Sequence, residues 1–109
     1  MLPLFSTLYI HIEMVRNKTK SAKAAGKLIL EIDREFAQAA EDASININEI
    51  ETKLGLAHDL LQAGNANSMK SILGKRTLKQ YFGSLWVEST PKVKEALNVL
   101  EDTISEEYV

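Results

Sequence analysis

A heptad-like stripe of apolar residues constrains the fold of this 109-residue sequence more than any other feature. Between positions 22 and 43 the apolar residues recur at alternating intervals of three and four. On an α-helix this spacing places all of the side chains on one face, and the residues between them are mostly charged residues or Gln that favour helix. The stripe consists of Ala22, Ala25, Ile29, Ile32, Phe36, Ala39 and Ala43. We therefore predict an amphipathic helix, and its small Ala side chains favour close approach of a second helix and self-association.

A second stripe with the same spacing predicts a second helix. It consists of Ile47, Ile50, Leu54, Ala57 and Leu61. Polar residues at 44–48 can cap its start, and Gly64-Asn65 is a stop signal. The stretch 65–68, Asn-Ala-Asn-Ser, is typical of a loop, with Ser68 as a candidate N-cap for the next helix.

The C-terminal part of the chain contains one uncertain and one well-defined helical segment. Apolar residues from Met69 to Leu85 fit helical spacing, but Gly74 and Gly83 predict a kink or a split into two helices. Thr90-Pro91 is a strong start signal, with Thr90 as N-cap and proline in the first turn. We expect the helix that follows to run to about position 106.

The first 15 residues are ambiguous, because their apolar residues fit both a strand and a helix. We favour a helix, which could continue into the first stripe, because a lone strand would have no partner. The fold expected is therefore all-α: a single domain, residues 1–109, forming a bundle of four to five helices with heptad-like stripes, as a homodimer.

Composition narrows the function classes. The chain has no cysteine, so it has no disulfides, thiolate metal sites or thiol nucleophiles. No apolar run approaches the ~20 residues of a membrane-spanning helix. No signal peptide is recognisable, so we expect a cytoplasmic protein that does not act at a membrane.

The net charge of −2 hides an uneven distribution along the chain. Residues 1–30 and 60–87 are basic, while residues 31–59 and 88–109 are acidic. The simpler interpretation is complementarity between neighbouring helices, within one chain or across a dimer. The alternative is that a basic block docks an acidic partner.

One cluster of cations and aromatic residues is the strongest candidate binding site. On a continuous helix Lys75, Lys79, Phe82 and Trp86 would share one face, with Arg76 nearby. Aromatic side chains beside cations are good anchors for a protein partner and can also stack nucleic-acid bases. The plainer alternative is a core stripe of Leu78, Phe82 and Leu85 flanked by lysines. The residues that we predict to bind the partner are Lys75, Arg76, Lys79, Phe82 and Trp86.

A weak helix-turn-helix pattern surrounds Gly55, which would occupy the turn. The would-be recognition helix after it has no Lys or Arg before Lys70, so DNA reading is not favoured. The alternative is a helix interrupted or ended near Gly55.

Catalytic and metal-binding constellations have little support in the sequence. Glu31 and Glu35 would share a helix face but lack a paired histidine, so a solvated face fits better. His11 and His58 have no recognisable catalytic setting. We therefore expect neither a metal nor a cofactor, and binding rather than catalysis.

Three functions remain in order of preference. The first is a small protein-interaction module, such as a regulator, inhibitor, adaptor or assembly subunit, with a protein partner that is acidic. The second is a nucleic-acid-binding regulator that uses the basic segment 70–79. The third is a binder of a small apolar ligand between helices.

Overall fold

The computed structural model describes residues 19–41 and 47–109, apart from the side chain of Ala40. These residues form helices joined by short turns, without any strand, so the all-α prediction is confirmed for them. Six helices are present in these two ranges: α1 (Lys20–Glu41), α2 (Ile47–Ala63), α3 (Ala66–Leu73), α4 (Leu78–Phe82), α5 (Ser84–Glu88) and α6 (Pro91–Glu107). The predictions for residues 1–15, for Ala43 and for caps at 44–46 lie outside the described residues.

Helix α1 is the central element, because it packs along both α2 and α6. Helices α1 and α6 run antiparallel. Ser21 near the start of α1 hydrogen-bonds Glu107 at the end of α6, whereas Glu31 further along α1 shares a groove with Lys92 near the start of α6. Helices α3, α4 and α5 complete the core against α6.

The first stripe is buried within its own chain. Ala22, Ala25, Ile32 and Ala39 are at most 4% exposed, and Ile29 and Phe36 are partly buried against the same core. The alanines on which the prediction of self-association rested are therefore already covered by the chain itself. If the chain does form a dimer, another face of the molecule must provide the contact.

The start of helix α1 is held by hydrogen bonds to two distant segments, the backbone at Gly64 and the side chain of Glu107. The Thr19 hydroxyl accepts a hydrogen bond from the backbone N–H of Ala22 at 3.1 Å and donates to the carbonyl oxygen of Gly64 at 2.9 Å. The Glu107 carboxylate accepts from the backbone N–H of Ser21 at 2.8 Å and from its hydroxyl at 2.7 Å. These bonds lower the pKa of Glu107 and satisfy the free N–H groups of the helix start.

The turn between α2 and α3 is shorter than predicted. Helix α2 ends at Ala63, and Gly64 has a φ of 81°, as the stop signal implied. Helix α3 begins at Ala66, because the Asn65 side chain accepts a hydrogen bond from the backbone N–H of Ser68 at 2.9 Å. The predicted loop at 65–68 is therefore wrong, and Asn65 rather than Ser68 is the cap.

The predicted start of the last helix is confirmed. Pro91 is its first residue and Thr90 is the N-cap, and the helix ends at Glu107. The Thr90 hydroxyl, however, donates to the carbonyl oxygens of Trp86 at 2.9 Å and Val87 at 3.3 Å. Thr90 therefore caps the end of α5 with its side chain while it begins α6 with its backbone.

Candidate functional site

Residues 69–86, for which Gly74 and Gly83 predicted a kink or a split into two helices, belong to three helices. Gly74 has a φ of 63° and Gly83 a φ of 101°, values that L-residues rarely adopt. Lys75 and Arg76 lie in the turn between α3 and α4. The prediction that Lys75, Lys79 and two aromatic residues share the face of one helix is therefore wrong, because two glycines redirect the backbone within that segment.

Phe82 is a core residue and cannot contact a partner. Its side chain has no exposed surface, and its ring meets that of Tyr81 edge-to-face with centroids 5.3 Å apart. Phe82 is therefore removed from the predicted partner-binding set, in agreement with the alternative interpretation of a core stripe. Its role is to support Tyr81, which is half-buried at the surface.

Leu85, in contrast to Phe82, is exposed to solvent. In a continuous helix it would lie on the same face as Leu78 and Phe82, but its side chain is 89% exposed. The break at Gly83 explains the difference, because α5 begins in a new direction at Ser84. Val87, rather than Leu85, faces the core from this helix. An almost fully exposed leucine on a five-residue helix is the clearest apolar surface feature of this region.

Trp86 lies beside Leu85 and is partly buried against the core. The Lys53 ammonium nitrogen lies 5.7 Å from the centroid of the Trp86 ring, a cation–π distance. The same nitrogen would lie 3.1 Å from a Cβ added to Gly83. Lys53 was missed in the sequence because it comes from α2, 33 positions before Trp86, and no local spacing relates the two residues.

Arg76 is held by the end of α3. Its Nε donates to the carbonyl oxygen of Leu73 and its Nη2 to that of Ile72, each at 3.1 Å. The guanidinium also lies 5.1 Å from the centroid of the Tyr81 ring. Burial and the charge of Asp59 raise the pKa of Tyr81, while the charge of Arg76 opposes them.

Lys79 is engaged in an ion pair that joins two helices. Its ammonium contacts one oxygen of Glu88, and the Lys94 ammonium contacts the other oxygen at 2.9 Å. Hydrogen bonds from these two lysines lower the pKa of Glu88 to about 2. Lys75, in contrast, is exposed and has no ion pair with any residue in the described ranges.

Together these side chains form a surface that we call the basic–aromatic face. Its members come from α2, from the turn after α3, and from α4 and α5: Lys53, Lys75, Arg76, Lys79, Tyr81, Leu85 and Trp86. Four of the five predicted partner-binding residues are exposed or partly exposed, while Phe82 is the exception. The face therefore has one cation, Lys53, at the partly buried indole of Trp86, the exposed Leu85 next to Trp86 in the chain, and two further cations held at Tyr81 and Glu88.

The helix-turn-helix interpretation is wrong. Helix α2 continues without a break through Gly55, whose surroundings are open, and the alternative of an interrupted helix fails for the same reason. Within the described ranges, no group of three or more acidic or histidine side chains is placed to hold a metal ion.

The described helices include none that is both long and apolar enough to cross a membrane. No family model matches the sequence, and neither a curated protein nor a solved structure is similar to it at a significant level.

Proposed function

We propose that this chain is a small protein-interaction module whose basic–aromatic face binds an acidic segment of a partner protein. The observation that carries the proposal is Leu85, which is 89% exposed beside the half-buried Trp86. A large apolar side chain that is exposed to water is unfavourable for the free chain. Binding of a partner would remove this side chain from water. A tryptophan next to it has the properties of an interface anchor.

The charge around this anchor supports an acidic partner. The basic–aromatic face contains four cations, Lys53, Lys75, Arg76 and Lys79, against Glu88, which pairs with Lys79, and Asp59, whose charge acts on Tyr81. Lys75 is exposed, and the Nη1 of Arg76, which makes no hydrogen bond within the described ranges, can donate to a carboxylate. Hydrogen bonds and ring contacts hold Arg76, Lys79 and Lys53 in place. Binding would therefore cost less side-chain entropy than it would with free lysines.

The nucleic-acid alternative is supported less well. Within the basic segment 70–79, Lys70 lies over the Tyr108 ring, Arg76 caps α3 and Lys79 pairs with Glu88. Nucleic-acid affinity depends chiefly on the number of cations that reach phosphates, and three of the four cations in this segment already have partners. An acidic peptide anchored by Leu85 and Trp86 would need fewer of them. Steep loss of binding to a single-stranded DNA column with added salt would favour this alternative.

The apolar-ligand alternative has one candidate place, an open groove of about 320 Å³ between α1 and α6. Lys27, Glu31, Lys92 and Glu95 line much of it. Since ligand pockets for apolar molecules are mostly apolar and enclose the ligand, this groove suits a protein surface better than a small molecule. We also propose that the module acts in the cytoplasm. A chain without cysteine does not depend on an oxidising compartment for its stability.

Capture of partners from the native host with a matched pair of variants tests the proposed function. In the Lys75→Glu/Leu85→Glu variant both substituted side chains are exposed, so the fold should be unchanged by circular dichroism. The matched variant His58→Glu/Gln62→Glu changes an equal number of exposed side chains on α2, outside the basic–aromatic face.

The expected result is that acidic partners bind the wild type and the α2 variant but not the Lys75→Glu/Leu85→Glu variant. Each captured partner is then reduced to synthetic peptides, and their binding is followed through Trp86, the single tryptophan of the chain. If both variants capture the same proteins as the wild type, the basic–aromatic face is not the binding surface.

A further inference from the structure

Helices α1 and α6 carry a second surface that the proposed function does not use. Their groove has a floor of Ala24, Ala96 and Val99, and it continues along α1 towards Lys20 and Thr103. Val99 is 49% exposed, and Leu30 on the outer side of α1 is 58% exposed. Two large apolar side chains on neighbouring helices are thus left in contact with solvent.

The outer edges of the two helices carry opposite charges. Exposed residues on the outer edge of α1 follow a 3–4 spacing: Lys20, Lys23, Lys27, Leu30 and Arg34. Those on the outer edge of α6 follow the same rule: Lys92, Glu95, Val99, Asp102 and Glu106. The edge of α1 is therefore basic, and that of α6 is acidic apart from Lys92 at its start. Each edge has an apolar residue within it.

Most of the charged side chains on these edges form no ion pair within the described ranges. Arg34 pairs with Glu31 at 2.7 Å, but Lys20, Lys23, Asp102 and Glu106 form no ion pair with a residue of the described ranges. Both edges lie on one side of the molecule and flank one groove. Because they point in the same direction, they do not pack against each other within one chain. A partner that matched them would need an acidic and a basic helix at the same spacing.

We propose that the partner on this surface is a second copy of the chain, related by a two-fold axis that runs above the groove and parallel to both helices. Such an axis places α1 of one copy on α6 of the other, twice, in an antiparallel four-helix arrangement. Each basic edge then meets an acidic edge. The dimer thus uses the outer edges of α1 and α6, not the buried alanine stripe.

The register of this dimer follows from the single chain. A two-fold axis parallel to the helices leaves every residue at its own height along them. Lys20, Lys23 and Thr103 line the same part of the groove, so within one chain Lys23 is level with Asp102 and Lys20 with Glu106. Across the dimer these become facing pairs, since α1 of the partner subunit takes the place above α6. Leu30 and Val99 lie inside the contact.

The contact is small for a specific dimer and falls in the size range of weak interfaces. The 17 residues of α6 give a length of about 25 Å, and two helices side by side are about 20 Å wide. The projected face of about 500 Å² is smaller than the ~800 Å² of accessible surface that each partner buries in a standard interface. A charged rim around few apolar residues predicts a dimer whose stability falls with added salt.

Sedimentation equilibrium of the full 109-residue chain tests the dimer directly. We expect a monomer–dimer equilibrium at low salt, and Lys23→Glu should raise the dimer Kd about tenfold because it reverses two symmetry-related pairs. Leu30→Glu should abolish the dimer. Lys75→Glu, on the other face, is the matched control and should leave the dimer Kd unchanged.

Rescue tests the register. Asp102→Lys should also weaken self-association, and a mixture of the Lys23→Glu and Asp102→Lys chains should form a heterodimer in which one of the two pairs is restored with reversed sign. A wild type that remains monomeric at millimolar concentration overturns the proposal. If Lys23→Glu leaves the dimer Kd unchanged, or if the mixed chains show no preferential pairing, the proposed surface is wrong.

Cross-linking distinguishes other occupants of the groove. The cysteine-free chain allows Lys23→Cys and Asp102→Cys to be introduced separately, and oxidation of the mixture should give a covalent heterodimer. If Val99→Cys in a monomeric chain is protected from alkylation, another part of the same chain covers the groove and the two-fold dimer is wrong. Failure here leaves the proposed function intact, because peptide binding to the basic–aromatic face is followed separately through Trp86.

Discussion

Substitution of Gly55 by alanine discriminates between a continuous α2 and a turn at this position. In the structure Gly55 lies in the middle of a 17-residue helix, is exposed, and has no heavy atom within 4 Å of an added Cβ apart from its own helix backbone. Alanine is favoured over glycine in a helix interior by about 0.8–1 kcal/mol. We therefore expect Gly55→Ala to stabilise the chain by about that amount.

The measurement is urea unfolding at fixed protein concentration, followed by circular dichroism and by the fluorescence of Trp86. With a slope of roughly 1–3 kcal/mol/M for a small protein, the midpoint should rise by about 0.3–1 M with an unchanged slope. In thermal unfolding the same free energy corresponds to a rise of about 4–8 °C for a domain of up to about 100 residues. Concentration must be held constant because self-association would add to the apparent stability.

The other glycines of the chain provide internal controls. Gly26→Ala in α1 also meets open space and should stabilise in the same direction. Gly83→Ala should destabilise the chain by about 1–3 kcal/mol, because its φ of 101° is strained for alanine. Its Cβ would also displace Lys53 from Trp86 and alter the fluorescence. If Gly55→Ala destabilises the chain as Gly83→Ala does, α2 bends at Gly55 and the description of that helix is wrong.

Two further predictions concern the candidate site, and a third concerns the contact between α1 and α6. Phe82→Ala should cost about 3–5 kcal/mol of unfolding free energy, because it empties a fully buried ring position, whereas Leu85→Ala should stay within about 0.5 kcal/mol in denaturant unfolding. Glu88 has its pKa lowered from 4.5 to about 2, so its contribution is present above pH 4.5 and is lost as pH falls towards 2. Over that window the wild type should lose more stability than Glu88→Gln, and equal losses would contradict the ion pair. Ser21→Ala should raise the pKa of Glu107, followed by NMR titration, because two of its hydrogen bonds come from Ser21.

Local signals in the sequence were sufficient for α1, α2 and the start of α6, but not for the three short helices between α2 and α6. The 3–4 stripes predict α1 and α2, and Thr90-Pro91 predicts the start of α6, because helical spacing and caps depend on residues within one or two turns. The start of α3 was misplaced because both Asn65 and Ser68 are good caps, and only the backbone geometry decides between them.

The candidate site was predicted less well because its contacts join distant segments. Lys53 reaches Trp86 from another helix, and Glu88 brings Lys79 and Lys94 together across two helix boundaries. Neither contact has a local spacing rule. The uneven charge distribution was visible in the sequence, but which cations remain available depends on these tertiary partners.

Gly83 connects the failure of the sequence prediction with the proposed site. The spacing of Leu78, Phe82 and Leu85 predicts one buried face, and it would be buried if the helix continued. A glycine at φ 101° ends α4 after Phe82, and the chain re-enters a helix with Val87 facing the core. Leu85 is left in solvent beside Trp86 as a result. The residue that breaks the apolar pattern is thus the one that leaves a leucine exposed, and the surface that we propose for binding is one that folding alone would not favour.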